Sequence, residues 1–166
     1  MSATKEKESA ERFAAIAELW NSRAKGLIRE MKLEIEQADL KGVQIRMPFN
    51  PDFCLDEEGT MLHGGVLTAL LDSAFGLANF VAIDGIESMA TLDLRVDYLR
   101  PAKSRADVLV FADCYRQTRH IAFGSGKIWF DTSDKEEVAR GTAAFAITRG
   151  TSGGFLDKLN TARLDK

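Results

Sequence analysis

The segment from Gly65 to Ile83 constrains this chain more than any other, because it is apolar almost all round at helical period and carries a single charged residue, Asp72. A helix with apolar side chains on most faces is buried on most sides rather than laid on a surface. The rest of the chain must therefore wrap around it. At about 100° per residue, Gly65, Thr68, Ala69, Asp72, Gly76 and Asn79 fall on one narrow stripe, while Val66, Leu67, Leu70, Leu71, Ala74, Leu77 and Val81 cover the remainder. Small side chains let a ligand or another backbone come close. A carboxylate among them is costly to bury without a use. Asp72 also splits the apolar run Gly64 to Ile83 into pieces expected to be too short for a bilayer.

The flanking patterns supply the wrapping. Leu33, Ile35, Gln37 and then Val43, Ile45, Met47 alternate with polar partners about Asp39 to Gly42, a β-hairpin ending near Pro48 and followed by a loop from Asn50 to Leu62. After the helix come four strand-like runs, Ser88 to Leu99, Ala106 to Tyr115, His120 to Asp131 and Val138 to Thr148. Their connections at Pro101 to Ser104, Arg116 to Thr118 and Ser133 to Glu136 are short, which predicts antiparallel neighbours. The result is an α+β chain whose antiparallel sheet curls around one long central helix. Ser9 opens a further amphipathic helix to about Arg23, a lid or flank, and Gly150 to Gly154 break the last strand before a tail. At 166 residues this is one domain, over 27–149, with an N-terminal helix and arm over 1–26 and a C-terminal tail over 150–166. A sheet wrapped on one helix leaves its edges open, so a homodimer is the minimum expected assembly and a tetramer is also expected.

Composition narrows the partners. A net charge of −3 offers no general attraction to nucleic acid or to an anionic membrane. Cys54 and Cys114 lack metal-ligand spacing and read as reduced thiols. The first residues, MSATKEKESAERF, are charged and lack the apolar core of a secretory signal, so a cytoplasmic location is expected. His63 and His120 have no third ligand nearby, and no metal is expected.

Chemistry concentrates at the start of the central helix. His63-Gly64-Gly65 occupies its entry, where backbone N–H groups lack intrahelical partners and the macrodipole favours negative charge. Glycine lets a carbonyl approach there, and the Gly65 N–H is the natural donor to a developing oxyanion. Asp72 lies roughly 10 Å of helical rise further on, too far for one carbonyl to touch both. If both act in one reaction they come from different subunits, with the site at their interface. Arg100, Lys103 and Arg105, and separately Arg116 and Arg119, flank opposite ends of one strand and are candidates for phosphate contacts.

The string HGGVLTALLDSAFGLA, His63 to Ala78, closely resembles the signature of PaaI-like (phenylacetic-acid-pathway type) hotdog thioesterases, with its HGG and an aspartate nine residues after the histidine. TLDLRVDYLRPA, Thr91 to Ala102, YRQTRHIAF, Tyr115 to Phe123, and the closing strand ARGTAAFAIT are also similar. The resemblance implies a hotdog fold that hydrolyses an acyl-CoA or aryl-CoA thioester without a cofactor, CoA being part of the substrate. It implies Asp72 as nucleophile or general base, Gly65 as oxyanion donor and His63 as the group that fixes the carbonyl or the loop. Gly64, Thr68 and Gly76 would lie against the substrate, Thr91 would position water, and Arg116 and Arg119 would meet CoA. The family often has an asparagine six residues before the histidine, where this chain has Glu57, preceded by Asp56. The competing readings are a hotdog hydratase or dehydratase and a non-catalytic acyl-CoA binding module.

Overall fold

The computed structural model describes residues 16–18, 20, 25–83 and 85–150. A helical turn, α1 (Leu27–Glu30), leads into β1 (Glu34–Asp39) and β2 (Gly42–Met47). A 3₁₀ turn at Pro51–Phe53 precedes the long helix α2 (Gly64–Ala82), which is followed by β3 (Ile86–Tyr98), β4 (Val108–Gln117), β5 (Ile121–Phe130) and β6 (Glu137–Arg149). The predicted N-terminal helix lies mostly outside the described residues. Of it, 16–18 and 20 are helical, and Ile16 joins the core.

The hairpin predicted from alternation forms with Ile35 opposite Ile45 and Asp39 opposite Gly42. Gly42 has φ 145°, and a Cβ there would lie 2.6 Å from the Ala112 carbonyl oxygen on the neighbouring strand. Only glycine fits that approach. The six strands form one sheet in the order β1-β2-β4-β5-β6-β3, antiparallel throughout.

One expectation from short connections fails. The β4–β5 and β5–β6 links join neighbours, but β3 pairs with β6 at the far edge and not with β4. The segment 99–107 crosses between them under the helix start, where Leu62 N–H donates to the Ala102 carbonyl at 2.9 Å and Met61 bridges to Lys103. The link is longer than the turn at Pro101 to Ser104 that the sequence suggests, and the curled sheet brings its edge strand round towards β4 so that it can cross.

The curl is what covers α2. Its Leu67, Leu70, Leu71, Ala74, Phe75, Leu77, Ala78 and Val81 are buried. They meet an inner sheet face that includes Val43, Ile45, Val110, Ala112, Ile128 and Ala139, all without exposed surface. Phe75 is fully buried against the glycines of β5. A Cβ on Gly124 would stand 2.8 Å from its Cδ1, and one on Gly126 would stand 3.0 Å from its Cε1. Burying a side chain of this size contributes about 1.5–3 kcal/mol. Despite Asp72, α2 is long and apolar enough by composition to cross a membrane, which corrects the expectation that Asp72 shortens it below that limit; half of the segment is instead buried within the fold.

Candidate active site

The stripe of small and polar residues on α2 faces the edge strand β3, and contacts between the two run from Gly64 to Gly76. A side chain built on Gly76 would come within 3.9 Å of Met89 Sδ. Thr91 Oγ1 donates to Asp72 Oδ1 at 2.8 Å. Tyr98 Oη donates to the Gly64 carbonyl at 3.0 Å and lies 2.7 Å from Thr68 Oγ1. Strand and helix therefore run antiparallel, with Asp72 near the middle. Asp72 is half-buried and Thr91 is exposed, so this part of the cleft is open to a ligand.

A β-bulge sets this alignment. The β3–β6 register shifts between Thr91, opposite Phe145, and Asp93, opposite Ala144. Uninterrupted alternation would put Thr91 on the face opposite to Tyr98. The extra residue, Leu92, absorbs the mismatch, so Met89 and Thr91 before it and Tyr98 after it all reach α2. Leu92 itself is 59% exposed.

His63 caps the helix. Its φ of −64° and ψ of 130° are extended, and its Nδ1 accepts the Gly65 N–H at 2.8 Å. A neutral ring accepting at Nδ1 carries its proton on Nε2. A Cβ on Gly65 would stand 2.9 Å from that Nδ1, so glycine is what lets the imidazole lie over the helix start. The Val66 N–H bonds the His63 carbonyl at 2.9 Å, and the His63 N–H bonds the Phe53 carbonyl at 2.9 Å. The structure thus places the proposed oxyanion donor, Gly65, beneath a side chain that a substrate oxygen must replace.

Asp56 is committed to its own turn. It accepts the Thr60 N–H at 2.9 Å and the Met61 N–H at 2.7 Å, together with the Thr60 hydroxyl. The Thr60 hydroxyl first, and then the Met61 N–H, hold its carboxyl well below the usual carboxylate range. Glu57 is exposed. Burial pushes the Cys54 and Cys114 thiols up, which leaves neither poised as a thiolate nucleophile.

Arg116 and Arg119 are exposed at the β4–β5 turn. Arg100 pairs with Glu136, and Arg105 donates to the Glu58 carbonyl at 2.7 Å. The two basic groups lie at opposite ends of β4, as their spacing predicted. A separate cavity of about 350 Å³ on the outer face of the sheet is lined by Asp97, Phe111, Lys127, Glu137 and Arg140, away from Asp72.

The structure brings together Asp72, Thr91, Thr68 and Gly64, and carries His63 and Gly65 at the helix start. Sequence reading missed Tyr98, which clamps the first turn of α2, and Met89. Tyr98 lies within the TLDLRVDYLRPA stretch, but strict alternation gave no reason to connect it with Gly64.

An antiparallel sheet curled around one long central helix is the arrangement of the hotdog class, and here the helix carries a half-buried carboxylate on the stripe that faces the edge strand. Residues 59–136 match the Thioesterase superfamily. VNG_1336C from Halobacterium salinarum, a candidate esterase by name, is 34% identical over 131 residues, which are 75% of this chain and 85% of that protein. The Salmonella typhimurium medium/long-chain acyl-CoA thioesterase YigI is 26% identical over 132 residues, 72% of this chain and 83% of its own. Among solved structures, thioesterase HI1161 from Haemophilus influenzae superposes with a TM-score of 0.71 at 18% identity, covering 84% of this chain and 92% of that one. A Pseudomonas aeruginosa protein superposes with a TM-score of 0.64 at 31% identity, covering 84% and 96%. The chain belongs to the thioesterase superfamily and is a thioesterase.

Proposed function

We propose that this chain hydrolyses an acyl-CoA or aryl-CoA thioester to the free acid and CoA, at a site shared by two copies of the chain. The observation that carries the reading is the hydrogen bond from Thr91 to Asp72 Oδ1 on the open stripe of the central helix. It fixes the carboxylate and leaves Oδ2 with no partner among the described residues. Asp72 acts through Oδ2 as general base on a water molecule. The water oxygen bonds the thioester carbon while its proton passes to Asp72, and the carbonyl oxygen becomes an oxyanion. The Gly65 N–H at the partner copy's helix start takes that oxyanion, displacing the His63 ring. Collapse of the intermediate breaks the C–S bond, and Asp72 returns the proton to the departing thiolate.

Two features support the shared site. Seven residues separate Gly65 from Asp72, roughly 10 Å of rise, beyond the reach of one carbonyl group. The β3 edge carries exposed Leu92 and Tyr98 beside the stripe, with exposed Leu99 just after it, which suits pairing with a second copy. Arg116 and Arg119 are exposed at the surface, where they can meet CoA phosphates. The naming of YigI as an acyl-CoA thioesterase supports the choice of thioester.

The test is release of free thiol from a panel of acyl-CoA and aryl-CoA substrates, with Asp72→Asn as the control. Loss of a general base should slow turnover by about 10²–10⁴-fold. Equal rates from wild type and Asp72→Asn would end the mechanism, and absence of thiol release across the panel would end the choice of substrate.

A further inference from the structure

We infer that Asn79 reads the far end of the acyl group and selects chains bearing a terminal hydroxyl. The inference rests on the proposed acyl-CoA hydrolysis and extends it to a substrate class.

Asn79 is the one buried polar or charged residue in the described core, with no exposed surface. Among the described residues neither its Nδ2 nor its Oδ1 has a hydrogen-bond partner. Buried polar side chains are nearly always paired, because an unpaired amide carries the whole of its desolvation cost. The other buried unpaired side-chain atoms, Trp20 Nε1 and Trp129 Nε1, are donors only. Asn79 offers a donor and an acceptor side by side, which is the complement of a hydroxyl group.

Its position links it to the reaction. Seven helical residues turn through about 700°, so Asn79 projects within roughly 20° of the direction of Asp72. It lies roughly 10 Å further along the helix axis. An acyl group whose carbonyl is held beside Asp72 and Thr91 would run past Gly76 and end at Asn79. Gly76 supplies the room, and Met89 Sδ, the nearest atom beyond it, lies across this path. An unbranched thioether side chain adapts more readily than any other apolar one, so Met89 can move aside and open the closed end of the cleft. The span matches an aliphatic acyl chain of medium length.

The experiment compares kcat/KM for octanoyl-CoA and ω-hydroxyoctanoyl-CoA in wild type, Asn79→Leu and Asn79→Ala. Wild type should prefer the hydroxylated chain by about tenfold or more, because the plain chain leaves the amide unpaired. Both variants should lose that preference, bringing the ratio of the two substrates to about one. The Ala variant keeps room for the substituent, which separates loss of the amide from a steric block. Asn79→Leu should melt no lower than wild type, since a group with no partner is being removed. A wild-type ratio of one or below, or a ratio unchanged in both variants, would overturn the inference. Calorimetric binding of the two thioesters to Asp72→Asn measures the same preference without chemistry. Equal binding of both would overturn the role of Asn79 even if no turnover is seen, whereas turnover without discrimination would leave the hydrolysis reading standing.

Discussion

Replacing Thr91 with valine would test whether the hydroxyl on the edge strand is part of the working site. Valine keeps the branched shape and the strand preference of threonine, so the bulge and the β3–β6 pairing should survive. What it removes is the 2.8 Å hydrogen bond to Asp72 Oδ1. A hydrogen bond to a charged group contributes about 1.5–3 kcal/mol when desolvated. Thr91 is exposed and Asp72 only half-buried, so the expected loss is about 1–2 kcal/mol. At 1.36 kcal/mol per decade this is a roughly five- to thirtyfold fall in kcat/KM, carried by kcat if the bond orients the base and not the substrate. Thr91→Ser keeps the donor and should stay near wild type. The assay is steady-state thiol release with the best substrate of the panel. A valine variant within twofold of wild type, or a serine variant as slow as the valine one, would refute the assignment.

Tyr98→Phe keeps the ring against Gly64 but loses the bonds to the Gly64 carbonyl and to Thr68. Because Tyr98 is half exposed the cost should be about 1 kcal/mol, a fall of roughly 2–4 °C in Tm by thermal melting; an unchanged Tm would mean the clamp is not formed in solution. Asp56 has its folded pKa depressed, so its contribution to stability is present above the unfolded value of about 4 and is lost as pH falls through the lower folded value. The urea midpoint should therefore drop on acidification through the carboxylate range, and Asp56→Asn should flatten part of that drop; an identical pH dependence in the variant would contradict the account.

The hairpin, the buried helix and the small-residue stripe with its single acid were legible because each is a local pattern. Leu67, Leu70 and Leu71 fall on one side of a 3.6-residue period and Asp72 on the other whatever lies around them, and glycines after His63 mark a helix start that a ligand can approach. The N–H groups of that start are also fixed by helix geometry. What the pattern left open was which of them are already taken, and the His63 ring over Gly65 settles one.

Pairing partners are not local. The sequence marks only Pro101 to Ser104 as a turn, but the link from Tyr98 to Val108 covers 99–107, and β3 lies beside β6 because the curl of the whole sheet brings that edge round the helix. Alternation along TLDLRVDYL predicts which residues share a face only while the register is unbroken, and one bulge at Leu92 reverses it. That reversal brings Thr91 to Asp72, and it depends on β6 contacts more than fifty residues away in the chain. The sequence by itself determined the helix, its acid and the need for a wrapping sheet, since these follow from side-chain periodicity. Only the tertiary structure decided that Thr91 and Tyr98 meet the helix and that the Asn79 amide is buried with no partner among the described residues, because those outcomes depend on how distant segments pack.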